Sequence, residues 1–270
     1  MHYSDKLRYR DEILAICHQN SREDLEAFIQ RKRETDPDYS PPLPELLLGA
    51  TDCRADKIAA YCLENGQVAD RSVMTSVVVN DSFAVYRLLV EHKAVKINQV
   101  VPWYGDILGT MAYDNKLDWV KFCLEHGADP NGNLVEEYLS ALACAVYTGN
   151  FKLVDLLLQH GAQLKGSNAI VQAAIYDNLE MVKYLLSKGA DIDEVGIKGP
   201  PGDERYDDNG SPLHHAATEG YTKMALFLID AGANIYLKDS MGRTAEDLAL
   251  KNNHTEILNA LYRKMDAVRE

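Results

Sequence analysis

Residues 211–235 read SPLHHAATEGYTKMALFLIDAGANI. Small residues through Ala217 lead to a glycine, Gly220. A bulkier run, Met224 to Ile229, leads to another, Gly232. The pattern predicts two short helices with a reversal between them and a left-handed residue closing the second. Residues 140–164, SALACAVYTGNFKLVDLLLQHGAQL, repeat the pattern in other letters.

The residue that closes each second helix serves as a ruler. It is Gly127, Gly161, Gly189 and Gly232 in the clear copies, Gly66 and Lys93 in weaker ones, with Lys32 at the front and Lys264 at the back. Successive intervals are 34, 27, 34, 34, 28, 43 and 32 residues, one period with a link sometimes cut or extended. In each unit a small-residue helix, such as 141–148 or 169–176, lets neighbours approach closely. The second helix carries one apolar stripe, as at Val154, Leu157 and Leu158. Neither helix buries its apolar side alone, so units must stack side by side.

The penultimate unit resembles the ankyrin repeat. It carries Asn209-Gly210-Ser211-Pro212-Leu213-His214, then Ala216-Ala217, Gly220 and Gly232-Ala233-Asn234, with Ser211 where the family usually has Thr. Asp239, Gly242 and Arg243-Thr244-Ala245 resemble the start of the next unit. The resemblance covers about residues 10–265 and is strongest from about 107, since the first three units lack the Thr-Pro-Leu-His box. It implies an all-α repeat solenoid over residues 1–270, a single domain of helix-turn-helix units with short β-hairpin fingers and a concave binding face. Fingers are expected to be stunted near Val68 to Arg71 and Leu164 to Ser167. The 43-residue interval inserts EVGIKGPPGDERYDDNG, 194–210, expected as a long exposed loop.

Composition narrows the function. A net charge of -13 argues against nucleic acid and anionic membrane, which require a basic face. The start MHYSDKLRYRDEIL has no apolar signal core, and no run of about 18 apolar residues occurs. The five cysteines, Cys17, Cys53, Cys62, Cys123 and Cys144, include no C-x-x-C pair and fall where small apolar residues stand in other units. They read as core thiols in a reducing compartment, cytoplasm or nucleus. The sequons at Asn80, Asn209 and Asn253 then carry little weight.

No phosphate loop, zinc-protease helix or nucleophile elbow is present, and no metal or cofactor is expected. The loop before Gly210 fails the calcium-loop pattern, which would put Arg205 at the first ligand position. His214 and His215 point about 100° apart on a helix and cannot chelate together. The resemblance makes His214 structural and leaves His215 a surface candidate.

One constellation remains. Tyr113, Tyr147 and Tyr176 fall near the end of the first helix in three consecutive units, with Asp114 and Asp177 beside two of them. The resemblance puts this position and the fingers on the concave face, adding Trp103, Tyr104 and Tyr138, with Asp106, Glu136 and Glu137 nearby. Aromatic anchors with carboxylates suit a basic segment of a protein partner. The first reading is therefore a monomeric, non-catalytic interaction module, an adaptor or inhibitor. The second is a small-molecule-binding protein or unorthodox enzyme in which Asp114, Asp177, a tyrosine hydroxyl or His215 transfers protons, provided the site is dry. A plain structural spacer is the third.

Overall fold

The computed structural model describes residues 3–101, 104–132, 139–196 and 209–269. Packing divides the chain into two compact units, Met1–Ile107 and Leu108–Glu270. In the first, α1 (Tyr3–Gln19) is followed by α2 (Arg22–Thr35), α3 (Leu43–Cys53) by α4 (Asp56–Glu64), and α5 (Arg71–Val79) by α6 (Phe83–Glu91). Helix α1 packs on α3 and α3 on α5, while α2 packs on α4 and α4 on α6. A hairpin of β1 (Val100–Val101) and β2 (Gly105–Asp106) ends this unit.

The second unit continues with α7 (Ile107–Tyr113) and α8 (Leu117–Glu125), α9 (Ala141–Tyr147) and α10 (Phe151–Gln159), and α11 (Ala169–Ile175) and α12 (Leu179–Ser187). Then come α13 (Pro212–Glu219) and α14 (Thr222–Asp230), and α15 (Ala245–Lys251) and α16 (Thr255–Arg269). The first helices form a row, α9 on α11, α11 on α13 and α13 on α15. In the outer row α8 packs on α10 and α14 on α16. This is the all-α repeat solenoid that the sequence implies.

Helices of seven to nine residues do not hold their shape alone in water. Burial supplies the difference. Every residue of α9 from Ala141 through Val146 is buried, as is every residue of α11 from Ala169 through Ala174. Only small and medium side chains fit a helix enclosed on so many sides. Helix α10 is amphipathic instead and buries Leu153, Val154 and Leu157. Leu158, expected in that stripe, lies at its margin, half-buried, and Leu153 takes the central place.

Each pair reverses through one left-handed residue. The eight are Asn20, Arg54, Asp81, Asn115, Gly149, Asp177, Gly220 and Asn253, with φ between +47° and +76°. Asparagine and aspartate tolerate this region better than other side chains. Polar caps start many of the helices: Ser140 Oγ accepts from Ala143 N at 3.0 Å, and Asp70 Oδ1 from Val73 N at 2.9 Å.

The ruler residues Gly66, Lys93, Gly127, Gly161, Gly189 and Gly232 are left-handed too, at +55° for Lys93 and +83° to +95° for the glycines. The two outermost marks differ. Lys32 lies inside α2, which continues to Thr35, and Lys264 inside α16, which continues to Arg269. Neither lysine forces the chain into a turn, so each helix runs on.

Links between units are short at 65–70 and 160–168, where stunted fingers were expected, and also at 36–42, against 92–106, 126–140 and 231–244. Neighbouring fingers are tied by side chains. Asn131 donates to Gly161 O and accepts from Gln163 N, both at 2.9 Å, and Asp193 accepts from Asn234 N at 2.8 Å. Of the inserted loop, 197–208 lies outside the described residues. Its base is closed by Gly196 N donating to Gly210 O at 3.2 Å, and Glu194 accepts from Asn168 N at 3.0 Å.

In the first unit a polar cluster crosses from α3 to α5. Thr51 donates to Ser76 Oγ at 2.6 Å, and Ser76 donates to Asp52 at 2.6 Å. Asn80 joins from the end of α5, donating to Asp52 at 3.2 Å.

Lys93 is exposed and sits in a conformation that costs an L-residue about 1–2 kcal/mol. Lys93→Gly is expected to stabilise the chain by about 0.5–1 kcal/mol, less than the full relief because glycine loses more freedom on folding. Urea unfolding followed by circular dichroism reads this as a higher midpoint. A lower midpoint would show that the lysine is not strained there.

Candidate functional site

Tyr113 and Tyr147 are the last residues of α7 and α9, and Tyr176 caps α11. Each precedes the left-handed reversal by one or two residues, at Asn115, Gly149 and Asp177. A side chain there leaves the buried row and reaches the surface, so the stacking of helices becomes a stacking of rings. The Tyr113 and Tyr147 rings lie 5.1 Å apart and 4° from parallel. Tyr147 and Tyr176 lie 5.0 Å apart at 72°, edge to face. Such pairs contribute about 0.5–1.5 kcal/mol each beyond their burial. The three tyrosines remain 46%, 40% and 54% exposed. Asp114 and Asp177 are exposed beside the outer two, while Thr148 follows the middle one and donates to Ala145 O at 2.8 Å.

Trp103, Tyr138, Glu136 and Glu137 fall outside the described residues. Tyr104 belongs to the first compact unit, half-buried in the turn between β1 and β2, where its N donates to Val101 O at 3.1 Å. Asp106 is buried at 3% exposure in β2, opposite Val100, and is not an exposed carboxylate as expected. His215, half-buried, lines a cleft of about 200 Å³ between α13 and α15 with Thr218, Glu219, Arg243, Lys251 and Asn252. None of the three tyrosines lines that cleft, so His215 is not part of the ladder.

His214 is buried, and its bonds fix its charge. Nδ1 faces two donors, Ser211 N at 3.1 Å and Ser211 Oγ at 2.8 Å. Nε2 therefore carries the proton, which it offers to Leu237 O at 3.0 Å and Arg243 O at 3.1 Å. Burial holds the imidazole below its ordinary pKa of 6.5 against the opposing pull of Asp239 and the two carbonyls. Asp239 is itself buried, ion-paired to Arg243 at 2.7 Å, and accepts from Arg243 N and Met241 N. The histidine thus pins two units together and leaves no lone pair for chemistry. None of the five cysteines is in a disulfide. Burial pushes the thiols of Cys17 and Cys62 up to about 12, which suppresses the reactive thiolate.

Sequence reasoning missed a second ladder, on the outer helices. Phe151 and Tyr184 meet edge to face at 5.1 Å, the Tyr184 hydroxyl donates to Asp155, and Lys188 pairs with Asp155 at 3.0 Å. Lys188 lies over Tyr184 at 5.0 Å, and Lys183 over the Phe227 ring at 5.7 Å. The signal was available as a ring in α12 and a lysine four residues on, at its C-cap. These rings carry their own cations and strap α10, α12 and α14 together. Among the described residues no group of three His, Cys, Asp or Glu is placed to hold a metal. No helix among them is long and apolar enough to cross a membrane.

A row of short helix pairs with surface ladders defines a repeat scaffold. The family model described as ankyrin repeats, three copies, matches residues 108–195 and 198–269, and the chain belongs to the ankyrin repeat family. It is 31% identical over 96 residues to mouse Rabankyrin-5, over 34% of this chain and 8% of that protein. It is 40% identical over 70 residues to mouse palmitoyltransferase ZDHHC13, over 26% of this chain and 10% of that protein. It is 34% identical over 92 residues to the Caenorhabditis elegans E3 ubiquitin-protein ligase hecd-1, over 33% of this chain and 3% of that protein. The chain thus spans about a tenth or less of the length of these relatives. Ankyrin repeats generally mediate protein–protein interaction.

Because the folded chain keeps His214 neutral, its contribution to stability is present above the unfolded pKa near 6.5. It is lost progressively as the pH falls through the lowered folded value. Urea unfolding at pH 7.5, 6.5 and 5.5 is expected to show a falling midpoint. His214→Gln should be less stable at pH 7.5 and show a shallower fall. An equal fall in both proteins would mean that His214 does not titrate as described.

Proposed function

We propose that this chain is a non-catalytic interaction module, an adaptor or inhibitor, that binds a basic segment of a protein partner across Tyr113, Tyr147 and Tyr176. The observation that carries the reading is the ladder itself: three half-exposed rings in contact, one from each of three consecutive helix pairs. Rings on short, enclosed helices are already ordered, so a partner gains contact area with little loss of freedom. Exposed carboxylates at Asp114 and Asp177, on a chain of net charge -13, attract a basic segment and speed encounter. The family resemblance assigns this side of the stack to the concave face.

The small-molecule or enzymatic reading requires a dry site to shift proton affinities. Exposed rings and exposed carboxylates supply no such dryness, so the interaction reading is preferred. Largely buried cysteines outside disulfides fit a reducing compartment, and we assign the chain to cytoplasm or nucleus on that ground.

Affinity capture with quantified recovery tests the face. Tyr113→Ala/Tyr147→Ala is expected to lose at least about tenfold of the specific partner signal, the effect of removing anchoring aromatics. Lys121→Ala, an exposed change on α8, should retain it. Equal recovery by wild type and the double variant would remove the ladder as the binding face.

A further inference from the structure

We infer that the partner's segment is read through arginine rather than lysine, with two arginines three residues apart, one over each end of the tyrosine ladder. This rests on the function proposed above and specifies the partner's chemistry.

Ring spacing limits how anything binds. Inserting a flat group between two rings requires about 7 Å, twice the contact distance of roughly 3.5 Å between carbons. The Tyr113 and Tyr147 rings stand only 5.1 Å apart. Parallel rings at that centroid separation are offset like steps, so each shows part of its face rather than a slot. A partner's side chain must lie on these steps, which favours a flat group over a compact one.

Charge and hydration narrow the choice. The carboxylates that follow the outer tyrosines, Asp114 and Asp177, call for cations. A ring that is 40–54% exposed is a wet surface. A lysine ammonium is compact and strongly hydrated and gains little by leaving water for such a site. The guanidinium is planar and weakly hydrated, stacks on a ring and grips a carboxylate with two parallel donors.

Distance sets the spacing. Two steps of 5.1 and 5.0 Å put the outer rings at most about 10 Å apart. A polyproline-II segment advances about 3.1 Å per residue with three residues per turn, so side chains three apart share a face and stand about 9 Å apart. Arginines at positions i and i+3 of such a segment therefore reach the Tyr113–Asp114 and Tyr176–Asp177 ends together.

Charge-matched peptides test this on the full chain: Gly-Ser peptides carrying Arg-x-x-Arg, Lys-x-x-Lys, or two arginines separated by six residues. Binding is read by calorimetry and by the ring resonances of Tyr113, Tyr147 and Tyr176. Arg-x-x-Arg is expected to bind at least tenfold tighter than either other peptide and to move all three resonances. Asp114→Asn/Asp177→Asn, which keeps the rings, should lose at least tenfold. If arginine and lysine peptides bind equally and both are lost in Tyr147→Ala, the arginine inference fails while the ladder remains the binding face. If Arg-x-x-Arg binds no tighter than the widely spaced peptide, the spacing fails. If no peptide moves a tyrosine resonance, the inference and the underlying reading both fall.

Discussion

Close contact between first helices is the constraint on which the rest depends. Helices such as α9 and α11 are enclosed by neighbours almost all round, and only alanine, valine, cysteine and similar residues allow that approach. Because each helix is too short to persist alone, one pair lends order to the next. The row in turn fixes where side chains at helix ends emerge. Tyr113, Tyr147 and Tyr176 touch because α7, α9 and α11 end at matching heights, without any motif designed for a ligand. Binding capacity here is a by-product of stacking, tuned by which residue occupies one repeated place.

Much of this was legible in the sequence because certain conformations leave strong marks. A glycine closing a helix has a reason to be there, and Gly127, Gly161, Gly189 and Gly232 set the period directly. The reversals were harder to see, since most are filled by Asn, Asp or, at position 54, Arg, which also occur throughout helices and loops. The tyrosine ladder was found because three copies share a position. Whether rings lie parallel or edge-on was not legible, since that depends on sub-ångström differences in helix placement. Tyr176 illustrates this: it sits just past its helix rather than within it, and its ring turns through 72° from its neighbour's.

Where the reading failed, a local feature outweighed the repeat. Asp106 stands near a finger, yet it is buried in the strand pair. The outer ladder of Phe151, Tyr184 and Lys188 stands on α10, α12 and the α12 cap, beside the apolar stripe rather than in it. Amphipathicity describes the inner side of a helix and says little about how its outer side is braced.

The hydroxyl cluster between α3 and α5 has a further consequence. Repeated modules are nearly interchangeable, so a folding chain risks pairing a helix with the wrong neighbour. Apolar surfaces forgive that error, because one greasy stripe fits another. The bonds between Thr51, Ser76 and Asp52 do not: another neighbour would forfeit them, at about 0.5–1.5 kcal/mol for each hydrogen bond. Where the signature motif is faintest, this polar latch gives α3 and α5 a means of telling each other from the remaining helices.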